Sequence, residues 1–300
     1  MVVAASIPGV VDLHVIRGAR AASETPDLVI EIPHGATETV DFTRLAARLT
    51  STLPANLVDF FHVNTDAGAP ELAEAVARQF VLDEPTRVVA ILRCRIPRTF
   101  IDCNRRIDAA PADFKAGKVT PGLMPWITTD LDRELLRGAY DQYHQAVDDV
   151  LGAPEARTRV LMLHTYAPRT VDVEVDHDIV TNLRRAYLPE VEPTWPLRPE
   201  LDVIARALDG TNYAPVAVVD TLRSALAAGG LTVADGATYP LHPSTVAWDR
   251  VMARPGRALC VEVRRDLLAD PFEPFAQMKI GAAKVARLTV PFVSALRRWW

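Results

Sequence analysis

The sequence predicts an α/β fold with a mostly parallel or mixed central sheet and helices on both of its faces. Three observations carry this prediction. Short apolar runs of strand length recur along the chain, as "LVIEIP", "LVDFFHV", "RVVAILR", "RVLMLH" and "ALCVEV". Amphipathic stretches of helical period lie between several of them. The chain has 300 residues, 49% of them hydrophobic, enough to bury a sizeable core. Alternation of the two periods marks a largely parallel sheet covered by helices, and residues 1–300 are expected to form one domain.

Helices are expected over 41–52, 69–82, 129–151 and 274–298. The third has Leu136, Tyr140, Tyr143 and Val147 at helical spacing, and Gly152 followed by Pro154 marks its stop. The last ends in "RRWW", which reads as a packed or amphipathic terminus. Two segments are irregular. Residues 165–198 mix acidic residues with prolines, and 229–245 carry glycines and "YPLHPST". Long loops over a rigid sheet are where substrate-specific parts usually lie.

Composition excludes several function classes. The formal net charge of -5 gives no footprint for nucleic acid. Three cysteines without CxxC spacing exclude a disulfide scaffold or a cysteine-rich zinc module and suit a reducing cytoplasm. The first residues lack a basic region and are interrupted by Pro8, Asp12 and His14, so they do not read as a signal peptide. No apolar run approaches the roughly 18 to 20 residues that cross a bilayer. GxSxG, GxGxxG and phosphate-loop motifs are missing.

In an open parallel sheet, ligands bind beyond the carboxyl ends of the strands. His34 follows "LVIEIP", Asp66 follows "LVDFFHV", Arg98 to Arg105 follow "RVVAILR", His164 ends "RVLML", and Glu262 lies near the end of "ALCVEV". His34, Asp66 and His164 supply the ligand chemistry of a catalytic zinc site, which keeps a position open for water. A carboxylate such as Glu262 would serve that water as general base. Taken singly, each residue has a structural reading. His34 and His164 would be hydrogen-bonded or packed, Asp66 would cap a helix, and Glu262 would pair with Arg264 on the same strand face. Convergence at one rim favours a shared site.

The segments "IPHGAT", "NTDAGAPEL", "PRTFIDCNRRID", "YHQAV", "LHTYAPR" and "CVEVRRDLL" occur in an order that resembles the N-formylglutamate amidohydrolase family. The most characteristic is Ile-Asp-x-Asn-Arg. The resemblance implies a phosphorylase/hydrolase-like, zinc carboxypeptidase-like fold. It also implies zinc, or another divalent ion, at His34, Asp66 and His164, with Glu262 as base and proton shuttle. Asn104 and Arg105 are implied to hold a substrate carboxylate and Arg98 to stabilise the oxyanion or bind a second carboxylate, with Asp102 as an orienting partner. Glu38 is the alternative carboxylate ligand to Asp66, because related carboxypeptidase-like enzymes take histidine and glutamate from one loop.

The family's glycine-rich segment before the last catalytic strand is not visible, and "ATYPLHPSTVAWDRV" takes its place, with Tyr239 and His242 as candidate pocket residues. His14, His62, Tyr143 and His144 read as structural, and His177 has no assigned role. The expected activity is hydrolysis of the amide bond of a small N-acyl amino acid such as N-formylglutamate, a small-molecule carboxylate. Two rivals are a zinc peptidase acting on short or cell-wall-derived peptides and a metal-free carboxylate-binding protein of the same fold.

Overall fold

Strands that are apolar on both faces must be covered on both faces, and "LVIEI" (Leu28–Ile32) is buried at all five positions. The structure, a computed structural model, describes residues 5–153 and 156–300. In chain order its first half comprises β1 (Val11–Arg17), β2 (Leu28–Ile32), α1 (Thr39–Ala46), α2 (Leu57–Asn64), α3 (Ala69–Asp83), β3 (Val88–Cys94), α4 (Pro111–Ala116) and α5 (Asp130–Leu151). The second half comprises β4 (Arg159–Tyr166), α6 (Ile179–Ala186), β5 (Leu201–Val203), α7 (Val216–Ala228), β6 (Val233–Asp235), α8 (Val246–Ala253), β7 (Ala258–Arg264) and α9 (Ala282–Leu296).

These strands form a mixed seven-stranded sheet in the order β1-β3-β2-β4-β7-β5-β6. The four central strands, β3, β2, β4 and β7, are mutually parallel. β1 runs antiparallel on β3, and β5, paired parallel with β6, runs antiparallel on β7. Alternation along β2 divides the core: Leu28, Ile30 and Ile32 pack with α3, α7 and α9, whereas Val29 packs on the other face with α2, α5 and α8. The α/β class and the two-sided helical cover are thus as the sequence predicts. Because the central strands are parallel, their carboxyl ends share one rim.

The run "LVDFFHV" is not a strand but helix α2. Leu57, Phe60 and Phe61 are buried at i, i+3 and i+4, the helical period, with Asp59 between them. A short apolar run cannot be typed by hydrophobicity alone, and this one lacks period-two alternation. Helix α1 starts and ends before the expected 41–52, with the Asp41 carboxylate accepting the Glu38 N–H. Helix α9 begins later than 274, since 270 to 279 is a run of bends and turns closed by an antiparallel bridge between Ala269 and Ile280. The predicted stop at Pro154 lies outside the described residues, and Gly152 follows the last residue of α5. The irregular segments hold α6 and the three-residue strand β6. Edge strand β1 and helices α7 and α8 were not among the predicted elements.

The chain terminus is packed: Trp299 is 9% exposed and donates to Gly256 O at 3.0 Å, while Trp300 lies against Phe80 and under Arg87 and Arg159. Among the described residues, no helix is long and apolar enough to cross a membrane. Phe80 is fully buried between sheet, α9 and this terminus. Phe80→Ala should lower unfolding stability by about 3–5 kcal/mol in a denaturant titration, and a loss under about 1 kcal/mol would contradict this packing.

Candidate active site

The chain leaves β2 through Pro33 into His34, and the turn is closed by Gly35 N–H donating to Ile32 O at 3.1 Å. Gly35 is required by close approach: a Cβ there would meet Arg93 Cγ at 2.6 Å and two carbonyl oxygens at 3.1 Å. Arg93 clamps the loop, donating from Nε to Gly35 O at 2.7 Å and from Nη2 to Glu38 at 2.9 Å. Asp66 arrives from the loop between α2 and α3. Its N–H donates to His34 O at 3.3 Å, Thr65 Oγ1 donates to Ala36 O at 2.5 Å, and Thr165 Oγ1 of β4 donates to Ala67 O at 3.0 Å. Gly68, at φ +90°, then turns the chain into α3. Asp66 therefore reaches the rim through cross-bonded loops, not from a strand end.

These loops bring His34, Asp66 and His164 together, each buried. His34 Nδ1 and His164 Nδ1 are 3.2 Å apart, His164 Nδ1 and Asp66 Oδ2 3.0 Å, and His34 Nδ1 and Asp66 Oδ2 3.3 Å. Four ligands at about 2.1 Å around a tetrahedral ion stand about 3.4 Å apart. The three edges are close to that spacing. The donor set fits as well, since two imidazole nitrogens and a carboxylate oxygen are the borderline and hard donors that zinc and similar divalent ions take. Burial works against the charge on Asp66, yet the two imidazoles hold its carboxyl below the usual carboxylate range.

His34 is oriented from behind. Its Nε2 lies 2.7 Å from Asp102 Oδ1, leaving Nδ1 to face the cluster. Asp102 also accepts from Asn104 N–H at 2.8 Å and Arg98 Nη2 at 2.9 Å, with Arg105 Nη2 at 3.5 Å. Although burial opposes it, Arg105, His34 and Arg98 keep Asp102 well below the usual carboxylate range. Asn104 closes the other side: Oδ1 accepts from Ala247 N–H at 3.0 Å, and Nδ2 stands 3.4 Å from His164 Nε2.

His164 pairs in register with Glu262 on the neighbouring strand β7, so both side chains reach the same rim. Glu262 does not pair with Arg264, which instead donates to Asp266 and to Arg198 O. Its Oε2 is buried without a hydrogen-bond partner. Burial, reinforced by the charge of Asp66 and opposed by His164, Arg198 and Arg98, pushes its carboxyl up to about 7. A cleft of about 970 Å³ opens over His34, His164, Glu262, Arg98, Asn104 and Arg105. A shallower groove of about 550 Å³ between α3 and α9 contains none of them.

Glu38 stands apart from this group, its carboxylate bound by Arg93 and Arg95. Tyr239 lines the cleft, whereas His242 is buried against Ser244. Tyr143 donates to the buried Glu31 at 3.0 Å, His144 packs on Tyr140 and Tyr143, His62 is buried, and His14 pairs with Glu74 on the surface. His177 is exposed. Sequence patterns do not single out Arg198 and Arg265, which line the cleft, or the buried Asp202. Arg265 lies three positions after Glu262, Arg198 sits in "WPLRPE", and Asp202 holds the Tyr239 loop by accepting from Ala237 and Thr238 N–H at 3.1 and 2.6 Å. The repeated arginine of "VEVRRD" was the available signal for the first.

The fold is similar to that of an N-formylglutamate amidohydrolase from Ralstonia eutropha JMP134, with a TM-score of 0.54 and 19% identity, covering 95% of this chain and 96% of that one. It is equally similar to a protein from Agrobacterium tumefaciens, with a TM-score of 0.54 and 19% identity, covering 96% of this chain and 95% of that one. At such identities the likeness shows the fold. No curated protein matches the chain. The family profile described as N-formylglutamate amidohydrolase matches residues 26–269. That match covers most of the chain, including every residue of the cluster, and the chain belongs to the N-formylglutamate amidohydrolase family.

Proposed function

We propose that the protein is a metal-dependent amidohydrolase, with zinc the best-fitting ion, that cleaves the amide bond of a small N-acyl amino acid such as N-formylglutamate. One observation carries the reading: the triangle of two Nδ1 atoms and Asp66 Oδ2 lies beside a carboxylate, Glu262, that has an unpartnered buried oxygen. His34, Asp66 and His164 would hold the ion, which when bound polarises a carbonyl and acidifies a water.

The remaining work falls to the chain's own groups. Glu262 takes a proton from the attacking water and delivers it to the leaving nitrogen as the C–N bond breaks and the new C–O bond forms. Arg98, fixed by Asp102, faces the developing negative charge on the carbonyl oxygen. Asn104 and Arg105 hold a substrate carboxylate; Arg105 lines the cleft, with Nε and Nη1 bonded to Thr120 O and Asn104 O and Nη2 3.5 Å from Asp102, which fixes the guanidinium plane. The cleft suits an anion, being lined by seven lysines and arginines against two acidic residues, Asp172 and Glu262. A metal-free binding protein would have no use for Glu262, since a buried carboxylate without a partner is costly. The three cysteines are free and buried, consistent with a reducing cytoplasm.

Elemental analysis of purified protein should find close to one divalent ion per chain, lost in His34→Ala and His164→Ala. Glu262→Gln should keep the ion while formate release from N-formylglutamate falls about 10²–10⁴-fold. Turnover at the wild-type rate in that variant, or full activity in metal-stripped protein, would remove the reading. The pH profile gives a separate check. Glu262 acts as a base only when ionised, so kcat/KM should fall as pH drops through its pKa. A cation at the cluster lowers that pKa, so the acid limb should lie between the ordinary 4.5 and about 7. An acid limb above that window would assign the base elsewhere.

A further inference from the structure

The cleft is larger than a formyl amino acid requires. At about 970 Å³ it matches a drug-sized ligand, whereas N-formylglutamate has only about a dozen heavy atoms and would fill a fraction of it. Part of its lining is aliphatic and takes no share in the chemistry. Val171, Val173 and Val175 lie on the extended segment between β4 and α6, where they alternate with Asp172 and Glu174. Period two turns the three valines to one side. They line the cleft and pack on the core cluster that includes Phe60 and Leu183, while both carboxylates are exposed.

Leu197 joins this wall. A short antiparallel ribbon holds it beside Val171: Thr170 N–H donates to Pro196 O at 2.9 Å, Arg198 N–H donates to Pro168 O at 2.8 Å, and Arg169 is the bridge partner of Leu197. The ribbon leaves β4 just past His164, and Arg198 beside Leu197 donates to Thr170 Oγ1 at 3.2 Å and to Tyr239 Oη at 3.0 Å. Core packing accounts for the half-buried valines but not for Leu197. It is 60% exposed, and among the described residues it is the exposed large apolar side chain that lines this cleft. Aliphatic surface left wet in a cleft is removed from water only when a ligand covers it, and each methylene of that ligand adds its own increment.

We propose that Val171, Val173, Val175 and Leu197 form an apolar subsite for a hydrocarbon group longer than formyl, so that the preferred substrates are N-acyl amino acids carrying such a group on the acyl carbon or as the side chain. Its use in turnover rests on the hydrolase reading; the binding of a hydrocarbon tail does not.

The test is calorimetric binding of straight-chain carboxylates, from acetate to octanoate, to the full chain as purified. None of them has an amide bond to cleave. Wild-type affinity should rise about threefold per added methylene until the wall is covered. In Leu197→Asn and in Val173→Asn the ratio of octanoate to acetate affinity should fall about tenfold. Affinity independent of chain length in wild type, or the full gain with length kept in both variants, overturns the subsite. Should Val173→Asn fail to fold, Leu197→Asn, at an exposed position, decides by the same ratio.

Turnover then tells which part of the substrate carries the group. N-hexanoylglycine and N-formylnorleucine place similar chains on the acyl carbon and on the α-carbon, and N-formylglycine is the reference. The compound with the larger kcat/KM relative to that reference identifies the source, and its advantage should shrink about tenfold in the two variants. An advantage for neither overturns the substrate assignment. Length-dependent binding without hydrolysis of any N-acyl amino acid would sink the hydrolase reading alone. Hydrolysis with binding indifferent to chain length would sink the subsite alone.

Discussion

Asp102 is the constraint on which the cluster depends. It is fully buried, where an isolated carboxylate would be untenable, and it is kept charged by an imidazole, a backbone N–H and two guanidinium groups. Those same bonds do the positioning. The contact to Nε2 orients the His34 ring, so that Nδ1 is the nitrogen turned toward His164 and Asp66. The contact to Arg98 holds a long side chain at one edge of the cleft, and that to the Asn104 N–H sets the backbone whose side chain meets His164. One carboxylate therefore links both imidazoles and one arginine, and loosening it would loosen all three together.

The cleft divides its cations by whether the protein neutralises them. Arg98 has two acidic neighbours, and Arg93 and Arg95 are spent on Glu38 and Asp41 around the His34 loop. Arg198 and Arg265 have hydrogen bonds to neutral groups only. Glu262 feels both groups: burial and the charge of Asp66 raise its pKa, and His164, Arg198 and Arg98 offset them only in part.

What the sequence made legible follows the range of the interactions involved. The strands β2, β3, β4 and β7 were readable because a parallel strand covered on both faces must be continuously apolar, and the residues just past their ends then fall at one rim whatever the loops do. Asp66 was found for a partly wrong reason. Its preceding segment is a helix, and it reaches the rim because Thr65, Asp66 and Thr165 bond across loops distant in sequence, which no local pattern encodes. Glu38 could not be separated from Asp66 by sequence, since the decision lies with Arg93 and Arg95, two strand residues that capture it. Arg198 and Asp202 were illegible for a similar reason. β5 is three residues long, and its placement beside β7 is set by pairing rather than by its own composition.

This difference in legibility coincides with a division of labour. Residues proposed for the chemistry, His34, His164 and Glu262, lie at or just past ends of the central parallel strands, held by ladders on both sides and so fixed to within the tolerance that ligation and proton transfer demand. Arg198, Tyr239 and their anchor Asp202 belong to the antiparallel margin and the irregular segments, where a few side-chain bonds do the holding.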